Sequence, residues 1–118
     1  MTDVERATFK ALTGRDAEPG VMVELLEVLI GRRGGKSRAM ALFCVYLATL
    51  CDWSNDLSLG ERGLALFLAP SERQVLNAFR YAEAVIDDSP LLAGLVTSRT
   101  QDTLTPARGI DIEVQCAN

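Results

Sequence analysis

Gly31-Arg32-Arg33-Gly34-Gly35-Lys36-Ser37-Arg38 constrains this chain more than any other stretch. It follows the apolar run Val28-Leu29-Ile30 and precedes a long apolar segment that begins at Ala39. A strand, a glycine-rich turn ending in Lys-Ser, and a helix together form a phosphate-binding loop. Gly34 and Gly35 lack a Cβ, so the backbone can turn tightly and aim its N–H groups at oxyanions. The positive end of the helix that starts near Gly35 points at the same place. Lys36 can reach the outer phosphates, and the Ser37 hydroxyl can bind Mg²⁺. These residues predict a nucleoside triphosphate ligand, ATP rather than GTP. The spacing is deviant. The usual loop has four residues between its first glycine and Gly-Lys-Ser, whereas Gly31 leaves three and Ile30 occupies the first position.

Charge supports a compact anion over a long one. Arg32, Arg33, Lys36 and Arg38 place four positive charges within eight residues, so the rest of a chain of net charge −4 carries −8. A DNA groove would need a broad basic face. The chain has no histidine, which excludes histidine-based catalysis and histidine metal sites. Cys44, Cys51 and Cys116 form no Cys-x-x-Cys pair and have apolar neighbours, so they read as small buried hydrophobes in a reducing cytoplasm. The polar start Met1-Thr2-Asp3-Val4-Glu5 does not resemble a secretory signal. The apolar stretch Ala39 to Cys51 is thirteen residues, short of the roughly twenty that span a bilayer.

With 118 residues the chain is expected to hold one domain at most. Asp3 to Leu12 predicts a short helix capped by Thr2 or Asp3. Residues 13–20 predict a loop. Val21 to Ile30 fits a helix or a strand by pattern. The demands of the loop favour a short helix or turn followed by a strand over Glu27 to Ile30. Lys36 to Asp52 predicts a helix that is apolar nearly all round, hence buried between a sheet and other elements. Leu64 to Ala69 reads as a buried parallel strand. Ser71-Glu72-Arg73-Gln74 is a capping box that opens a helix to Ile86 or Asp87, with Val75, Ala78, Phe79, Ala82 and Ile86 facing inward. Ser89-Pro90 opens a short helical turn to Leu95. Thr100 to Thr105 and Ile110 to Cys116 predict paired strands around a turn at residues 106–109.

The shifted glycine and paired arginines resemble the phosphate loop of large terminase subunits, the ATPases that package DNA into tailed-phage heads. The resemblance continues through Phe9-Lys10-Ala11-Leu12-Thr13-Gly14-Arg15, Gly60-Glu61-Arg62-Gly63, Leu64 to Ala69, Pro70 to Gln74, Asp88-Ser89-Pro90-Leu91-Leu92 and Gly109 to Val114. It implies a three-layer α/β fold like that of P-loop NTPases, with a mostly parallel sheet and helices on both faces. Residues 1–118 would be the N-terminal portion of the ATPase domain. Lys36 and Ser37 would contact the phosphates and Mg²⁺, with Arg32 at the position of the family's loop arginine. Gly31, Arg33, Gly34, Gly35 and Arg38 would complete the cradle. The family's acid-bearing strand ending in Asp-Glu, and its nuclease domain, have no counterpart in these residues, so slow or absent turnover is expected. A full-length relative would engage double-stranded DNA, portal and small terminase subunit in the cytoplasm of a bacterial host, without a membrane.

Two rival readings stand beside this one. Another phosphate-loop enzyme, a helicase-like ATPase or a small kinase, would share the loop, but a kinase needs a lid that the sequence does not suggest. An interaction module could instead pair through an exposed sheet edge. Asp87 and Asp88 read as a solvated helix end, and Asp111 and Glu113 as an exposed polar strand face, rather than as catalytic acids. Trp53 and Tyr46 could stack on adenine, but only nearness in sequence links them to the loop.

Overall fold

The computed structural model describes every residue except Met22, Gly34, Arg108 and Asn118. The chain forms two compact units, Met1–Ile30 and Gly31–Asn118.

The first unit holds one helix, α1 (Asp3–Thr13). Its start is a capping box: the Glu5 N–H donates to the Thr2 hydroxyl at 3.2 Å, and the Thr2 N–H donates to the Glu5 carboxylate at 2.6 Å. Gly14 closes it with φ 72°. Lys10–Asp16 and Arg6–Glu18 ion pairs draw the next loop back to the helix. No residue of α1 is buried. The strand expected over Glu27 to Ile30 does not form; Leu25 to Ile30 has no regular structure, and Leu29 is 98% exposed. A strand exists only as one side of a ladder, and the sheet draws all its strands from residues 63–116. The expectation rested on what the loop needs, not on a period in the residues.

The second unit is α/β. It contains α2 (Lys36–Thr49), β1 (Gly63–Ala69), α3 (Glu72–Asp88), α4 (Pro90–Leu95), β2 (Val96–Arg99), β3 (Thr103–Pro106) and β4 (Ile110–Cys116). The sheet order is β1-β4-β3-β2. Only β1 and β4 pair in parallel, Gly63 with Ile110 through Ala69 with Cys116. The β2–β3 and β3–β4 pairs are antiparallel. The mostly parallel sheet is therefore overturned. Short connections such as residues 100–102 and 107–109 can join only antiparallel neighbours, whereas the α3-to-β3 excursion is long enough to bring β4 back beside β1 in parallel.

The helices do not sandwich the sheet as expected. Both α2 and α3 pack on the same face, against Phe67 of β1 and Ile112 and Val114 of β4. Ala41, Val45 and Ala48 of α2 and Val75, Phe79, Ala82 and Ile86 of α3 are buried there with Leu104. The inward residues expected of α3 are all buried. The small side chains of α2 let it approach closely. The opposite face of β1 carries Leu64, Leu66 and Leu68 exposed, so the continuous apolar run marks a half-covered edge strand, not one buried on both faces. The run alone cannot separate the two cases. α2 was likewise expected to be buried all round, yet Leu42, Phe43, Tyr46 and Leu50 are exposed. The three cysteines are free and half-buried.

Arg62 closes the open end of the β1–β4 pair. Its guanidinium donates to the Asp111 carboxylate at 2.8 and 3.1 Å and to the Pro106 carbonyl at 2.8 Å. Beside it, a Cβ on Gly63 would meet the Ile110 Cδ1, the far end of a side chain that can turn aside.

Arg62→Ala should cost about 1 kcal/mol, because the bonds are charge-assisted but partly open to water. Urea unfolding measures this, and an unchanged midpoint would show that the clamp holds nothing. Burial pushes the Cys44 thiol above its ordinary value. Iodoacetamide should therefore label Cys44 more slowly in the native protein than in urea, as peptide mass mapping would report; equal rates would contradict that burial.

Candidate phosphate site

The loop residues turn tightly and end in a helix. Arg32 and Arg33 form a turn, and α2 begins at Lys36. Arg33 has φ 62° and Gly35 φ 78°. Gly35 holds a left-handed conformation at no steric cost, but Arg33 does so at about 1–2 kcal/mol. Arg33 is the only non-glycine residue with positive φ among the described residues. Alternation into this region is how main-chain N–H groups come to converge on an anion. Gly34, part of the expected cradle, lies outside the described residues.

The start of α2 breaks the rules that the other helices obey. Thr2, Ser71 and Ser89 cap α1, α3 and α4 with their hydroxyls, whereas Gly35 gives α2 no side-chain cap. The first turn of α2 contains no acid and carries Lys36 and Arg38 instead. Cations oppose the positive end of a helix, so this arrangement costs stability unless an anion sits against it. Among the described residues, none of Arg32, Arg33, Lys36 and Arg38 takes part in an ion pair; the four pairs that form use Arg6, Lys10, Arg62 and Arg99. Gly31, Arg32, Arg33, Gly35, Lys36 and Arg38 are exposed and Ser37 is half-buried.

The packing of α2 decides where the loop lies. Residues at its C-terminal end, Thr49 to Ser54, share a groove with Gly60, Glu61 and Gly109, which lead into β1 and β4. Ala41 and Cys44 sit farther along the sheet beside Phe67 and Val114. Fourteen helical residues span about 21 Å, and the seven residues of β1 about 23 Å. Gly35 and Lys36 thus project toward the carboxyl ends of the parallel strands, the side on which α/β sheets bind ligands. The groove at that end is lined by Ser71, Glu72, Gln101, Asp102 and Gln115.

Other candidates take structural roles. Asp87 pairs with Arg99 at 2.7 Å, and Asp111 belongs to the Arg62 clamp. The Trp53 indole donates to the Leu47 carbonyl at 2.7 Å, and Tyr46 stacks on Phe43 with ring centroids 6.5 Å apart. Ser71 caps α3 through the Gln74 N–H, while the described residues show no return bond from the Gln74 side chain. β2 and the role of Arg62 carry little signal in the sequence. Val96-Thr97 is a β-branched pair that hints at a strand. Comparison with protein-family models, curated proteins and solved structures finds no match for this chain. Among the described residues no helix is long and apolar enough to cross a membrane.

Relieving the two local violations should stabilise the fold. Arg33→Gly removes a strained φ and Lys36→Glu reverses an unfavourable helix-end charge, each raising stability by on the order of 0.5 kcal/mol. Thermal unfolding without ligand checks this; a fall in the midpoint of Lys36→Glu would mean that Lys36 holds the fold together.

Proposed function

We propose that this chain binds Mg²⁺–ATP through Gly31 to Arg38, as the terminase-like N-terminal portion of an ATPase domain from a phage or prophage DNA-packaging motor. The observation that carries the proposal is the set of four cations, none in an ion pair among the described residues, around an exposed helix start with no side-chain cap. Triphosphate oxygens would accept from the N–H groups at the start of α2, and Lys36 would neutralise the outer phosphates. Ser37 would hold Mg²⁺ with the triphosphate, while Arg32 stabilises phosphate charge and Arg33 and Arg38 add to the positive field. Within these residues no strand ends in Asp-Glu, so the proposal is binding with little turnover. The fold proposed to accompany it is a P-loop NTPase-like one built on the parallel β1–β4 pair. The setting proposed is the bacterial cytoplasm, with double-stranded DNA, portal and small terminase subunit as partners of the whole motor.

The sheet supports a second reading. β1 is an edge strand whose exposed leucines suit a module that adds a partner strand. The loop's basic, strained helix start has no role in that reading, so the nucleotide is preferred.

Titration with a fluorescent ATP analogue and Mg²⁺ separates the two. Saturable binding should be lost in Lys36→Ala, with at least a roughly tenfold weaker Kd, while the circular dichroism stays unchanged. Equal binding by both proteins would remove the site.

A further inference from the structure

The groove at the carboxyl end of β4 has a volume of about 580 Å³, within the range of small-molecule sites. Pro70, Leu76 and Val114 give it an apolar part, and Glu72, Gln101 and Asp102 bring polar groups. The turn that carries Gln101 and Asp102 is fixed. The Thr100 and Thr103 hydroxyls donate to one Asp102 carboxylate oxygen at 2.9 and 3.1 Å. The Val114 N–H donates to the Asp102 carbonyl at 3.0 Å, which ties the turn to β4. Asp102 is thus an acceptor held in one place.

Helix α2 connects this groove to the basic loop. Ser37, Ala41, Cys44 and Ala48 step by four, three and four, so they share the face turned to the sheet. Ala41 and Ala48 are buried there and Ser37 is half-buried. Ala41 sits beside Val114, and Val114 also lines the groove. Ser37 comes one turn earlier, about 6 Å nearer the carboxyl ends of the strands. A phosphate chain at Lys36 and Ser37 therefore has the groove next to it on the sheet side.

The sign of charge decides which part of a ligand enters. Among the described residues no lysine or arginine lines the groove, whereas Glu72 and Asp102 do. Carboxylates repel phosphates but accept hydrogen bonds from hydroxyl and amino groups. A nucleoside is uncharged, carries sugar hydroxyls, and has a flat base that apolar side chains can cover. We propose that this groove is the nucleoside subsite, in which ribose and base donate to Glu72, Gln101 and Asp102 while the phosphates stay at Lys36 and Ser37. The inference rests on the phosphate-loop reading and extends it to the uncharged half of the ligand.

Cys116 lines the groove and Cys51 lines a different one, beyond the C-terminal end of α2. Both thiols are free and half-buried, so together they report where a ligand sits. Iodoacetamide labelling followed by peptide mass mapping is run with Mg²⁺–ATP and, separately, with inorganic tripolyphosphate. At ten times its Kd, ATP should slow labelling of Cys116 by up to about tenfold and leave Cys51 unchanged, while tripolyphosphate should protect neither. ATP should also bind roughly tenfold more tightly than tripolyphosphate. Leu76→Trp, which narrows the groove, should remove that difference by weakening ATP alone; Gln101→Trp replaces it if that variant unfolds. Tripolyphosphate that binds as tightly as ATP, or ATP that binds without protecting Cys116, would overturn the subsite and leave the loop standing. Failure of the loop reading looks different: neither ligand would bind, and the subsite would fall with it.

Discussion

The packing of α2 and α3 on one face of the β1–β4 pair governs the second unit. β1 and β4 run the same way, and their inward residues Phe67, Ile112 and Val114 form a strip that both helices cover. Small residues on α2 bring it close, and Val75, Phe79, Ala82 and Ile86 of α3 complete the layer. Apolar burial of this kind supplies most of the driving force for folding, and it has no direction of its own. Direction comes from the chain: the groove that Thr49 to Ser54 share with Gly60, Glu61 and Gly109 puts the C-terminal end of α2 by the starts of β1 and β4. The basic loop is therefore carried to the carboxyl end of the parallel pair by helix length alone.

Much of this was legible in the sequence, and the reasons differ by element. α3 announced itself twice, by Ser71 ahead of the helix and by apolar residues at helical spacing, and both signals agree with its burial. β4 was legible because Ile110, Ile112, Val114 and Cys116 alternate with polar residues. α1 showed its hydroxyl cap. Each of these is a local signal matched by a local structure.

What failed was everything that depends on neighbours. Leu64 to Ala69 is uniformly apolar, so it has no alternation to tell a strand covered on two faces from one covered on one. α2 is uniformly apolar for the same reason, and its burial depends on how many layers surround it. The sheet's direction depended on connection lengths around β2, a four-residue strand whose short pattern gave little warning. The phosphate loop was legible in its chemistry, glycines and Lys-Ser before a helix, but its strand was inferred from analogy, and Leu25 to Ile30 does not form one. Arg62 was invisible because its partners Pro106 and Asp111 are distant in sequence.

The start of α2 sets the chemistry of the loop. Among the described residues, the fold gathers Arg32, Arg33, Lys36 and Arg38 at the positive end of a helix and uses none of them in an ion pair. Held there, these cations oppose one another and the helix dipole, a cost that an external anion would offset. A triphosphate, as proposed, would offset it by accepting from the N–H groups at the start of α2 and from Lys36.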